Sequence, residues 1–214
     1  MPLKEVYGWP DEVCLRLNFV STLDGAVALD GRTSGLSTVA DRAVFDYLRT
    51  TCDVVLVGAT TAISERYRPA RVPIAVVSGQ LSPGPSDPLF AAVAGTATPI
   101  VLTCEQAPSD RRNALAAYAE VVSCGDETVD LQLVLDELKR RGMRRILCEG
   151  GPTLFAQLLA SGLADELCLT LAPLLTAGSA PRITDGEALR PPRGASLLSV
   201  LEQDDTVLLR YSLR

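Results

Sequence analysis

Residues 146–162, ILCEGGPTLFAQLLASG, place two opposed chemistries side by side. A short apolar run ends in a carboxylate, Glu149. Gly150, Gly151 and Pro152 follow, and then Leu154, Phe155, Leu158 and Leu159 recur on one helical face. Pro152 suits the first helical position, where its missing N–H is no loss, and Gly162 suits the stop after the last turn. The glycine pair therefore joins a strand to a helix N-terminus. Free backbone N–H groups and the positive end of the helix dipole favour an anion there, and glycine admits a phosphate to close range. A plain strand-to-helix turn would need the same glycines for its dihedrals. The pattern is not G-x-G-x-x-G, so it does not specify an ordinary Rossmann dinucleotide site.

Histidine is absent from all 214 residues. With it go the commonest metal ligand, the usual triad base and the usual proton shuttle near neutral pH. The six cysteines, at 14, 52, 104, 124, 148 and 168, form no C-x-x-C pair and lie mostly in apolar runs such as VCLRL and ELCLTL. That pattern fits buried thiols in a reducing compartment better than zinc ligands or disulfides. A net charge of −6 argues against nucleic acid as a partner, and Arg66, Arg68 and Arg71 form only a local basic cluster. No signal peptide opens the chain and no apolar run reaches membrane-spanning length, so a soluble cytoplasmic protein is expected.

Positioning these groups takes strands alternating with helices. Strands are expected at 13–20, 53–59, 74–78, 100–103, 145–148 and 166–172. Helices are expected at 39–49, 60–65, 111–119 and after Asp130, whose Leu131, Val134, Leu135 and Leu138 keep helical spacing up to Gly142. The end of the chain changes period: 195–201 and 206–213 flank EQDD, and 207–213 alternates as a hairpin strand does. The expected fold is α/β, a mostly parallel central sheet flanked by helices with an antiparallel C-terminal hairpin, in one domain over 1–214. Ligands in such sheets sit beyond the C-terminal strand ends. That rule selects Ser21 and Thr22, Gly58 to Thr61, Ser78, Thr103 and Glu149 to Thr153, a small hydroxylated set suited to a phosphorylated cofactor.

The order and spacing of NFVSTLDG (18–25), LR (48–49), DVVLVGATT (53–61), ERYRPAR (65–71), EGGPTL (149–154) and DELCLTLAPLLTAG (165–178) resemble the pyrimidine reductases of riboflavin biosynthesis. That family has a dihydrofolate-reductase-like fold, and the likeness runs from about residue 14 to the C-terminus. Many members also carry a zinc deaminase domain with an H-x-E and P-C-x-x-C pattern. This chain has neither, so the resemblance implies a stand-alone reductase. It further implies NADPH-dependent reduction of 5-amino-6-(5-phosphoribosylamino)uracil to the ribitylamino compound, by hydride transfer to the first ribose carbon of an open-chain imine, in a homodimer.

The resemblance also distributes roles. Gly150, Gly151, Pro152, Thr153 and Leu154 would hold the NADPH pyrophosphate, while Glu149 would face the substrate and accept its N–H groups. Asn18, Thr33 and Arg68 would stand on the substrate side, and Arg49 would bind the substrate phosphate through its donor fork. Ser21, Gly35, Gly58, Thr61 and Ser78 would contact the cofactor. Glu65 stands where many members have aspartate and is the first candidate proton donor, with Asp24 or a water in reserve. Each has a plainer reading: Arg49 as a charge at a helix C-terminus, Glu149 as an ion-pair partner, Asp24 as a turn residue. On the same fold a dihydrofolate or pterin reductase, or a non-catalytic NADPH-binding protein, remain alternatives.

Overall fold

The computed structural model describes residues 2–29 and 32–214. One nine-stranded sheet organises the chain. Its strands are β1 (Cys14–Thr22), β2 (Val54–Gly58), β3 (Ile74–Val77), β4 (Ile100–Thr103), β5 (Glu120–Ser123), β6 (Arg145–Cys148), β7 (Glu166–Ala172), β8 (Ser196–Gln203) and β9 (Thr206–Ser212). The spatial order is β5-β4-β3-β2-β6-β1-β7-β9-β8. Every pairing from β5 to β7 is parallel, whereas β7–β9 and β9–β8 are antiparallel, as the change of period indicates.

Helices cover both faces: α1 (Leu3–Tyr7), α2 (Val39–Thr51), α3 (Ala59–Ser64), α4 (Ser109–Leu115), α5 (Leu131–Arg140) and α6 (Pro152–Ala160). Because strand side chains alternate, Val55 and Val57 meet Val44 and Leu48 of α2, while Val54 and Leu56 join Val134 and Leu138 of α5 and Leu158 of α6. Burying each such side chain contributes about 1.5–3 kcal/mol. Capping fixes the helix ends: Thr38 accepts from the Asp41 amide, and Asp130 accepts from the amides of Gln132 and Leu133. In the hairpin loop both Asp204 and Asp205 have positive φ, the twist that two-residue connections require.

Several boundaries differ from the sequence reading. β1 continues to Thr22, so Ser21 and Thr22 are buried inside a strand and do not lie beyond its end. Thr103 closes β4 and is fully buried. α4 stops at Leu115. β5 and α1 carry too few apolar positions to register as periodic; α1 is held instead by tertiary contacts. Fully buried Arg16 donates to the carbonyls of Tyr7 and Gly8 and pairs with Glu166 at 2.7 Å, and Arg210 joins the same carboxylate at 2.7 Å. All six cysteines are buried and free. No described helix is long and apolar enough to cross a membrane.

Candidate active site

The ends of β1, β6, β2 and β3, neighbours in the sheet, open into one cavity of about 1140 Å³. Its floor is the turn from β6 to α6. The Gly58 amide donates to the Gly150 carbonyl at 2.7 Å, and the Gly150–Gly151 peptide is cis. Gly150 has φ +102° with the Phe19 ring 3.0 Å from where a Cβ would sit. A Cβ on Gly151 would lie 2.2 Å from Thr61 Oγ1. Packing alone therefore demands both glycines: Gly150 clears the Phe19 ring of β1, and Gly151 lets the start of α6 approach the start of α3. The same closeness brings two helix N-termini to one wall, where Gly58, Thr61, Gly151, Pro152, Thr153 and Leu154 face the cavity.

On the other side stands the carboxylate that precedes the turn. Arg49 Nε donates to Glu149 Oε1 at 2.7 Å and Nη2 to Oε2 at 2.6 Å. The Tyr67 hydroxyl donates to Oε2 at 2.6 Å. The guanidinium lies over Phe45 and Tyr67, 4.5 and 5.3 Å from their ring centroids. The Glu149 side chain is 3% exposed and that of Arg49 29%. Burial, reinforced by the neighbouring carboxylate, pushes the Tyr67 hydroxyl well above the usual tyrosine range, so it remains a donor. Burial works against the Arg49 cation, but the hydrogen bonds and charge of Glu149 outweigh it and raise its pKa.

The family resemblance implies for Arg49 a fork open to phosphate and for Glu149 a carboxylate open to ligand N–H groups. Here each is the other's partner, which is the ion-pair alternative for Glu149. What remains available is one lone-pair direction on Oε1, both protons of Arg49 Nη1 and one of Nη2.

Asn18, Thr33 and Arg68 line the cavity, and so does Glu65, whose Oε1 accepts from the Thr33 amide at 3.0 Å. That bond ties the loop before α2 to the end of α3. Ser78 lines the far end, where its Oγ accepts from the Ser82 amide at 3.0 Å. Among the described residues Ser21, Gly35 and Gly150 are not in the cavity wall. Ser21 is buried, with its hydroxyl donating to the Thr22 carbonyl. Asp24 also lies outside the wall. It accepts from the Thr22 hydroxyl and from the amides of Ala177 and Thr176, bonds that hold its pKa down at about 2. It is a turn clamp, too acidic to donate a proton near neutral pH. Arg42, Phe45 and Tyr67 line the site although the sequence reading did not select them. The spacing of Arg42, Phe45 and Arg49 at i, i+3 and i+7 was the available signal. No group of histidine, cysteine or carboxylates among the described residues is placed to hold a metal ion.

Residues 13–207 match the family described as RibD C-terminal domain. The chain is 33% identical over 183 residues to the 2,5-diamino-6-ribosylamino-4(3H)-pyrimidinone 5′-phosphate reductase of Methanothermobacter thermautotrophicus, covering 81% of this chain and 84% of that protein. A reductase of the same name from Archaeoglobus fulgidus is 28% identical over 193 residues, covering 80% and 86%. The crystal structure of a pyrimidine reductase-like protein from Corynebacterium diphtheriae superposes with a TM-score of 0.87 at 22% identity, covering 99% of this chain and 98% of that one. That likeness concerns fold alone, and it agrees with the architecture the motifs imply. Since the match takes in the strands around the cavity and the EGGPTL turn at its floor, the chain belongs to the RibD C-terminal domain family.

Proposed function

We propose that the chain is an NADPH-dependent reductase of a phosphoribosylaminopyrimidine. The observation that carries this reading is a single cavity with two unlike halves. One half presents backbone donors and hydroxyls across two converging helix starts; the other presents arginines, aromatic rings and a fixed carboxylate. At about 1140 Å³ it exceeds the usual range of single-ligand sites, roughly 300–1,000 Å³, which leaves room for cofactor and substrate together.

The donor set fits a dinucleotide. Gly151, Thr153 and Leu154 would hold its pyrophosphate at the start of α6, with Gly58 and Thr61 opposite. When bound, the nicotinamide supplies the hydride. The chain's own residues orient the substrate and manage charge. Asn18 and the remaining Oε1 direction of Glu149 would meet the pyrimidine edge. Arg42 and Arg68, exposed at the cavity wall, would meet the phosphate with the unused protons of Arg49. Glu65 would deliver the proton, held in place by the Thr33 amide.

The relative at 33% identity is named for the 2,5-diaminopyrimidinone, and we take that compound as the first substrate, with the uracil analogue second. Both carry the ribosylamino phosphate that this half of the cavity suits. Six free thiols fit a cytoplasmic setting, and the exposed β8 edge fits a homodimer. The test is NADPH oxidation assayed in parallel with the diaminopyrimidinone phosphate, the uracil phosphate and dihydrofolate. Turnover of either pyrimidine supports the reading. Turnover of dihydrofolate with neither pyrimidine would replace it with pterin reduction.

A further inference from the structure

We propose that Arg111 reads the 2′-phosphate of the dinucleotide and so sets the preference for NADPH over NADH; the inference rests on the cofactor reading above. Strand order gives the direction in which such a cofactor must run. Asn18 and Glu149 mark the substrate half, at β1 and beyond β6. The phosphate-holding turns follow at β6 and β2, and the cavity continues past them to the end of β3. A dinucleotide with its nicotinamide toward Asn18 sends its adenosine toward Ser78, Gly79, Gln80 and Ser82.

Rossmann sites that select NAD place a carboxylate beside the adenosine ribose, where it accepts from the 2′-hydroxyl and repels a phosphate. Here the strand end reads Ser78-Gly79-Gln80. The carboxylates that line the cavity are Asp41, Asp46, Glu65, Glu149 and Asp185, and none comes from β3, β4 or the loops that follow them.

Beside that strand end, outside the cavity wall itself, stands a cation. Arg111 of α4 donates through Nη1 to the Gln80 carbonyl at 2.9 Å, and this is its one hydrogen bond among the described residues, where it forms no ion pair. Its Nε and Nη2 protons stay open, and a planar fork of this kind matches phosphate oxygens. Arg112, next in the chain, donates to the Cys104 carbonyl at 2.8 Å and so braces α4 against the end of β4. Two hydroxyls complete the seat. Ser78 Oγ accepts from the Ser82 amide, which leaves its own proton to donate, and Ser82 lies in the cavity wall. An arginine fork and two hydroxyls at one strand end are the donors a phosphate dianion takes.

The experiment is calorimetric titration of the wild-type chain, Arg111→Ala and Arg111→Lys with NADPH and with NADH. The wild type should favour NADPH by about tenfold or more, and Arg111→Ala should remove most of that preference by weakening NADPH alone. NADH affinity should stay within about twofold, which also reports an intact fold, and Arg111→Lys should recover part of the loss. Unchanged NADPH affinity in Arg111→Ala, an equal loss for both cofactors, or a wild type without preference would each overturn the proposal. These titrations need no pyrimidine, so failure of the substrate assignment appears only in the turnover assay. Absence of binding by either cofactor would overturn the cofactor reading itself.

Discussion

At the scale of single residues, the site turns on a buried carboxylate whose charge Arg49 balances and to which Tyr67 donates. A residue that only awaits a ligand can be removed without harm to the empty fold. Arg49 cannot, because Glu149 is 3% exposed and takes two of its three hydrogen bonds from that guanidinium. Removing the partner of a buried charge costs about 3–5 kcal/mol. Arg49→Ala should therefore lower the urea midpoint as well as turnover, and Arg49→Lys should restore only part, since a point charge lacks the fork. Tyr67→Phe should cost about 1.5–3 kcal/mol through loss of a bond to a charged acceptor, while NADPH affinity holds. Equilibrium unfolding of these variants decides: a wild-type midpoint for Arg49→Ala would mean that the ion pair contributes nothing to the fold.

At the scale of elements, the turn between β6 and α6 sets how closely two helices begin. The missing Cβ of Gly151 is what lets α6 and α3 begin side by side. Gly151→Ala should destabilise the chain by about 1–3 kcal/mol through overpacking against Thr61. Thr61→Ala removes the hydroxyl 2.2 Å from the new methyl, so the double variant should recover most of the lost stability. Thermal unfolding of the three proteins tests this, and a double variant as unstable as Gly151→Ala alone would locate the strain elsewhere. Element limits were readable where a cap and an apolar period coincide, as in α5 between Asp130 and Gly142. They were not readable in β5, whose four residues are all partly exposed, nor in α1, which depends on Arg16 and Arg210 from distant strands.

For the whole molecule, burial of so many acidic protons sets an alkaline limit. Burial pushes the thiols of Cys14, Cys52, Cys148 and Cys168 from 9.0 to about 12 and that of Cys124 to about 11. A group whose pKa is raised by folding stabilises fully below its unfolded value. Above that value the unfolded chain releases protons that the native chain retains, so stability falls until the folded pKa is reached. The urea midpoint should accordingly hold up to about pH 8.5 and fall steeply between about pH 9 and 12. A flat profile across that window would show the thiols to be less buried than the sheet places them. The other whole-molecule feature is the outer edge of β8, where Leu197, Leu198 and Val200 are 53%, 48% and 51% exposed. An unpaired apolar edge invites a second copy, so light scattering at micromolar concentration should give a dimer mass. Leu197→Lys with Val200→Lys should give a monomer, and a wild type already monomeric would exclude the dimer.

The sequence alone determined the strand–helix alternation, the passage from parallel sheet to antiparallel hairpin and the glycine turn at the start of α6. Each is written in the period or dihedral needs of neighbouring residues, and local steric and hydrophobic rules suffice to read it. The family resemblance, and not those local rules, pointed to Arg49, Glu149, Glu65 and Thr33 as residues of one site. Only the tertiary structure decided what they do to one another. Arg49 lies 100 positions from Glu149 and Tyr67 82 positions from it, and they meet because β6 inserts between β1 and β2. That insertion pairs two expected ligand groups with each other, leaving one acceptor direction on Glu149 and three protons on Arg49 free, beside the exposed cations Arg42 and Arg68. No spacing along the chain encodes such pairings, because they are set by which strands lie adjacent and by how far each side chain is withdrawn from water.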